Sequence, residues 1–142
     1  MPNASRLSIL LVEDDRDLLD ALVGELRRAG HECEAADSGE RALAAWQERT
    51  FDIVVTDLRM PGIDGVDLAA ELCRSELVPV IVITGFRHDY QCKLCRLPHL
   101  EVLEKPFTAR KLLDRVAIAV ASPRTPSDNG IHAGQQFARR AP

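Results

Sequence analysis

Glu13, Asp14, Asp57, Thr84 and Lys105 are the residues whose types and spacing could do chemistry in this chain. Each closes or follows a short apolar run: LSILLV at 7–12, FDIVVT at 51–56, VPVIVIT at 78–84 and LEVL at 100–103. Such runs form strands buried on both faces of a parallel sheet. Ligands of open parallel sheets bind in the crevice outside the C-terminal strand ends. Turn capping would account for one polar ending; four at one edge are hard to explain as core packing. If the first and third strands are neighbours, Glu13, Asp14 and Asp57 lie within a few ångströms of one another. Carboxylates that close raise one another's pKa unless a cation binds. A hard divalent ion, Mg²⁺ or Mn²⁺, suits one or two carboxylates with retained waters. Lys105 adds an ammonium and Thr84 a hydroxyl donor, so the set suits a transferring phosphoryl group. Asp57 is then a nucleophile able to become an acyl phosphate.

Five strands alternate with five helices to position these groups. The helices fall over Leu18–Ala29, with the stripe Leu18, Leu19, Leu22, Val23, Leu26 and a stop at Gly30; from a capping box at 37–40 through Trp46; from Asp64 to Cys73; over 87–96; and from Thr108 as N-cap through Val120. His31–Ala36 reads as an edge strand. Met60-Pro61-Gly62 breaks the chain just after Asp57. The alternation predicts an α/β fold, a parallel sheet covered on both faces. Residues 7–121 form the domain, 1–6 a lead, and 122–142, rich in Pro, Ser, Gly and Gln without periodicity, a disordered tail.

The net charge of -4 argues against a nucleic-acid surface, and Arg124, Arg139 and Arg140 in the tail are too few to change that. No run approaches the roughly 18 apolar residues of a membrane span, and the N-terminal apolar run is too short for a secretory signal. A cytoplasmic protein with reduced cysteines is expected.

The motifs VEDD at 12–15, TDLRMPGIDG at 56–65, VIVITG at 80–85 and EKPF at 104–107, in order and properly spaced, resemble the receiver domain of two-component response regulators. The resemblance covers residues 7 to about 121. It implies a flavodoxin-like sheet of order 2-1-3-4-5, which makes the first and third strands neighbours. It implies that Asp57 accepts a phosphoryl group from a phosphohistidine of a sensor histidine kinase or histidine phosphotransfer protein. Mg²⁺ would be bound by Asp14, Asp57 and the backbone carbonyl of Arg59, with Glu13 acting through water. Lys105 would pair with phosphoryl oxygens, with its bond to Pro106 cis. Thr84 would swing toward the phosphoryl group and Gly85 leave room for access. Output would pass to a downstream protein partner, and a homodimer through the fourth helix, fifth strand and fifth helix is compatible with the family.

Three positions depart from the family pattern. Val102 stands where a switch aromatic is usual, Pro98-His99 replaces Gly-Ala, and the segment from Thr84 to Lys105 is about a residue short. His88, Cys92, Cys95 and His99 have tempting ligand spacing, but one straight helix would spread them over about 16 Å, whereas zinc needs all four within roughly 2.3 Å. Buried thiols are the better reading of Cys92 and Cys95; Cys33 and Cys73 carry no signal. The leading expectation is a phosphoacceptor receiver acting by partner binding or phosphorelay, without an effector domain of its own. The alternative is a phosphorylation-independent pseudo-receiver, favoured only by Val102. An aspartyl phosphohydrolase wants a second acid where Arg59 stands, and an FMN protein wants a phosphate loop that is missing after the first strand.

Overall fold

The computed structural model describes residues 6–74, 78–85 and 100–121. Five parallel strands, β1 (Ser8–Val12), β2 (Glu32–Ala36), β3 (Ile53–Asp57), β4 (Val80–Thr84) and β5 (Leu100–Glu104), form one sheet in the order β2-β1-β3-β4-β5. This is the flavodoxin-like order, with β2 at an edge as expected. Four helices are described: α1 (Arg16–Arg28), α2 (Gly39–Glu48), α3 (Gly65–Cys73) and α4 (Ala109–Ala121). The expected helix at 87–96, the His88, Cys92, Cys95 and His99 pattern, the Pro98-His99 departure and the tail from 122 lie outside the described residues, so four helices rather than five are counted.

Strand alternation divides the core in two. On β1, Ile9 and Leu11 pack with Leu19, Leu22 and Leu26 of α1 and with Leu112 and Val116 of α4. Leu10 and Val12 face the other way, toward Ala42 of α2 and Leu68 and Leu72 of α3. Side chains two apart share a sheet face, so a sheet covered on both sides needs the continuous apolar runs seen in the sequence. β3 and β4 are buried at every position. At about 25 cal/mol per Å² of apolar area, each such Leu or Ile contributes about 2–3 kcal/mol.

Side chains and glycine fix the helix ends. The Asp15 carboxylate accepts from the amides of Asp17 and Leu18 at the start of α1. Gly30, at φ 100°, closes that helix in a Schellman arrangement, its amide donating to Arg27 and that of His31 to Leu26. Thr108 caps α4 by accepting from the Lys111 amide. The capping box expected at 37–40 is not formed. Ser38 is the N-cap and accepts from the amide of Arg41, so Arg41 occupies the position where the motif needs Glu. Asp37 instead pairs with Arg16 at 3.0 Å and Arg41 at 3.4 Å. Trp46, read as core, is half-buried and stacks on Phe51 with ring centroids 6.1 Å apart.

Candidate functional site

The C-terminal strand ends gather the expected groups. β1 delivers Glu13 and Asp14, β3 delivers Asp57 as its last residue, and backbone hydrogen bonds fix Glu13 and the end of β3. The Glu13 amide donates to Ala36 of β2 at 3.0 Å, and the Leu58 amide to Ile83 of β4 at 2.9 Å. One carboxylate oxygen from each of Glu13, Asp14 and Asp57 lies within 4.8 Å of the others. Asp14 is exposed, whereas Glu13 and Asp57 are buried, at 1% and 6% exposure.

Lys105 reaches in from beyond β5, its Nζ 3.4 Å from Asp57 Oδ1 and 3.9 Å from Glu13 Oε1. Its amide donates to the carbonyl of Thr84 at 2.9 Å, which ties the end of β5 to the end of β4. The Lys105–Pro106 bond is cis, as the resemblance implied. Thr84 closes β4 and is buried. Gly85 follows it, and among the described residues nothing lies within 4 Å of where its side chain would stand. Arg59 is exposed in the loop after β3, two residues beyond Asp57.

Burial and mutual repulsion set the electrostatics of the cleft. Burial pushes the Glu13 carboxyl up from 4.5 to about 7; the Asp15 amide, which donates to Glu13 Oε2 at 3.1 Å, opposes this, and the neighbouring Asp57 charge adds to it. Burial likewise raises Asp57, against the pull of Lys105. One ammonium does not neutralise three carboxylates. Among the described residues Glu13 Oε1 is buried with no hydrogen-bond partner, an arrangement that leaves a polar atom unsatisfied. An orphaned carboxylate oxygen beside two more carboxylates is the donor set of a hard divalent cation, so these residues fit Mg²⁺ or Mn²⁺.

Other details were not legible beforehand. Thr56 Oγ1 donates to the Asp57 carbonyl at 3.0 Å, holding the backbone under the acid from within the core. Gly65 begins α3 pressed against the Asp57 carbonyl, where any Cβ would collide, and its amide donates to Leu58 at 2.9 Å. The DG pair at 64–65 carried that signal: Asp64 caps α3 by accepting from the Asp67 amide, and only glycine fits next. Val102 pairs with Val82 in the β4–β5 register. It is half-buried on the sheet face opposite Leu103, which enters the core with α1 and α4. Cys33 is buried, its thiol pushed up to about 11, and Cys73 is half-buried with Sγ 3.8 Å from the Val78 carbonyl; both are free thiols.

A five-stranded parallel sheet in this order, with an acidic cleft at its C-terminal edge and a lysine from the β5 end, defines a flavodoxin-like domain of the chemotaxis-regulator type. The chain belongs to the response regulator receiver domain family, whose model matches residues 9–117. The response regulator protein FleR of Pseudomonas aeruginosa is 41% identical over 111 residues, which is 77% of this chain and 24% of FleR. The virulence sensor protein BvgS of Bordetella bronchiseptica is 36% identical over 133 residues, 85% of this chain and 11% of BvgS. The chain therefore spans about a quarter or less of these curated relatives. Among solved structures, the chemotaxis response regulator CheY4 of Vibrio cholerae superposes with a TM-score of 0.73 at 26% identity, over 81% of this chain and 99% of that one.

Proposed function

We propose that this domain accepts a phosphoryl group on Asp57, with Mg²⁺ at the acidic cluster, from the phosphohistidine of a sensor kinase or phosphotransfer protein. The observation that carries this reading is the cluster itself: three carboxylates within 4.8 Å, one of them 3.4 Å from a lysine ammonium. In the transfer step an Asp57 carboxylate oxygen attacks phosphorus as the P–N bond to the donor imidazole breaks. The leaving electron pair returns to the imidazole, and the new O–P bond is an acyl phosphate. Bound Mg²⁺ would supply positive charge to the phosphoryl oxygens, held by Asp14, Asp57 and the Arg59 carbonyl, with Glu13 acting through water. Lys105 hands its charge from the Asp57 carboxylate to an equatorial phosphoryl oxygen. Thr84 offers its hydroxyl from the end of β4, and Gly85 leaves the approach open. Hydrolysis runs through the same groups, with water as the attacking oxygen. The domain thus assists its own phosphorylation and dephosphorylation without being a turnover enzyme.

Signal would leave by binding a downstream protein or by onward relay in the cytoplasm. Among the relatives, one is named a response regulator and another a sensor protein. The test is incubation with acetyl phosphate. The protein should gain one phosphate by intact mass in Mg²⁺ and none in EDTA; equal labelling in both would overturn the reading.

A further inference from the structure

The loop between β3 and α3 carries Arg59 and closes on Asp57. Its base is fixed by the Leu58 amide on Ile83 and the Gly65 amide on Leu58, both at 2.9 Å. Its tip is fixed from outside, by the first turn of α2. A Cβ built on Gly39 would fall on the Cγ2 methyl of Ile63 and 3.3 Å from the Ile63 carbonyl oxygen. One residue earlier, Gly62 sits at φ 81°, and a Cβ there would lie 2.9 Å from Glu40 Oε2. Gly39 and Glu40 thus clasp Gly62 and Ile63 side chain to backbone. Ile63 is half-buried and packs on the cluster that holds Leu58, Ala42 and Val66.

We propose that Gly39 is a positioning residue for the Asp57 site: its bare Cα is a socket for Ile63, and this contact sets the loop that aligns the metal-binding groups. The inference rests on the phosphoacceptor reading. Its physical basis is the short path between socket and site. Displacing Ile63 pushes on a segment only eight residues long, Leu58 to Gly65, whose C-terminal anchor is pressed against the Asp57 carbonyl. A methyl on Gly39 cannot be absorbed by a flexible side-chain end, because β-branched Ile63 is stiff and its carbonyl is also close. Mg²⁺ demands near-ideal octahedral geometry at about 2.0–2.1 Å, whereas Ca²⁺ accepts looser arrangements at about 2.3–2.6 Å. Misplacing the loop should therefore penalise Mg²⁺ more than Ca²⁺, a selectivity that general destabilisation does not produce.

The experiment is calorimetric titration of Mg²⁺ and Ca²⁺ into wild type, Gly39→Ala, Ile63→Ala and the double variant, with folding checked by thermal melts in EDTA. Gly39→Ala overfills the socket and Ile63→Ala empties it. Each should weaken Mg²⁺ about tenfold and Ca²⁺ less than threefold, because Mg²⁺ tolerates misplaced oxygen donors less well than Ca²⁺ does. In the double variant the added methyl meets the shortened side chain, and Mg²⁺ affinity should return to within about threefold of wild type. If Gly39→Ala does not fold, Ile63→Ala carries the test, since it introduces no clash. Unchanged Mg²⁺ affinity in the singles, parallel losses for both ions, or a double variant no better than the singles would overturn the positioning role alone. A wild type that binds no Mg²⁺ would overturn the phosphoacceptor reading, and the proposal with it.

Discussion

Replacing Glu13 with glutamine should stabilise the metal-free protein at alkaline pH. Glu13 is 1% exposed, its Oε1 has no hydrogen-bond partner, and its carboxyl is raised from 4.5 to about 7. Burial is the main cause, with the Asp57 charge adding to it. The sign follows from proton counting. Between pH 4.5 and 7 the folded state holds a proton on Glu13 that the unfolded chain has lost, so stability falls as pH rises through this window and levels off above it. At about 1.4 kcal/mol per pH unit the full cost is roughly 3–4 kcal/mol. Glutamine forgoes the 3.9 Å contact with Lys105, so a gain of about 1–2 kcal/mol is expected. It keeps an oxygen able to accept from the Asp15 amide. The assay is urea unfolding in EDTA at pH 5 and pH 8. Wild type should trail the variant at pH 8, with the gap closing at pH 5. A variant less stable than wild type at pH 8, or a gap equal at both values, would refute the reasoning.

Asp14→Asn should likewise be neutral or stabilising without metal, because it removes one of three crowded carboxylates. Mg²⁺ should raise the melting temperature of wild type far more than that of this variant. Val102 is a short, stiff side chain where the family usually has an aromatic switch, so Val102→Ala should leave phosphorylation-dependent partner affinity within a few-fold of wild type. Thr84→Ala should still accept phosphate but lose most of that dependence. Both are read as partner affinity with and without beryllofluoride, and a collapse in Val102→Ala with Thr84→Ala unaffected would reverse the assignment.

The sheet was legible because burial on both faces leaves a simple trace, uninterrupted β-branched runs that stop at polar residues. Strand order was not readable from those runs; the motif resemblance supplied it, and with it the meeting of Glu13 with Asp57. The cap of α2 was misread because Asp37 and Ser38 are both good N-caps, and tertiary pairing of Asp37 with Arg16 left Ser38 to cap. Gly65 against the Asp57 carbonyl left a trace in the Asp64-Gly65 pair, whereas Gly39 against Ile63 left none beyond the glycine itself, because its reason lies across the fold. The same holds for Glu13: its sequence neighbours do not reveal that Oε1 is buried 3.9 Å from Lys105 Nζ without a hydrogen-bond partner among the described residues.

Localising the phosphoryl group tests the central claim most directly. An acyl phosphate on aspartate is reduced by borohydride to homoserine, so peptide mass spectrometry of the labelled, reduced protein reads out the acceptor. The account predicts homoserine at position 57 alone, absent without Mg²⁺ and absent in Asp57→Asn. Homoserine at position 14, or phosphate retained in Asp57→Asn at the wild-type level, would contradict it.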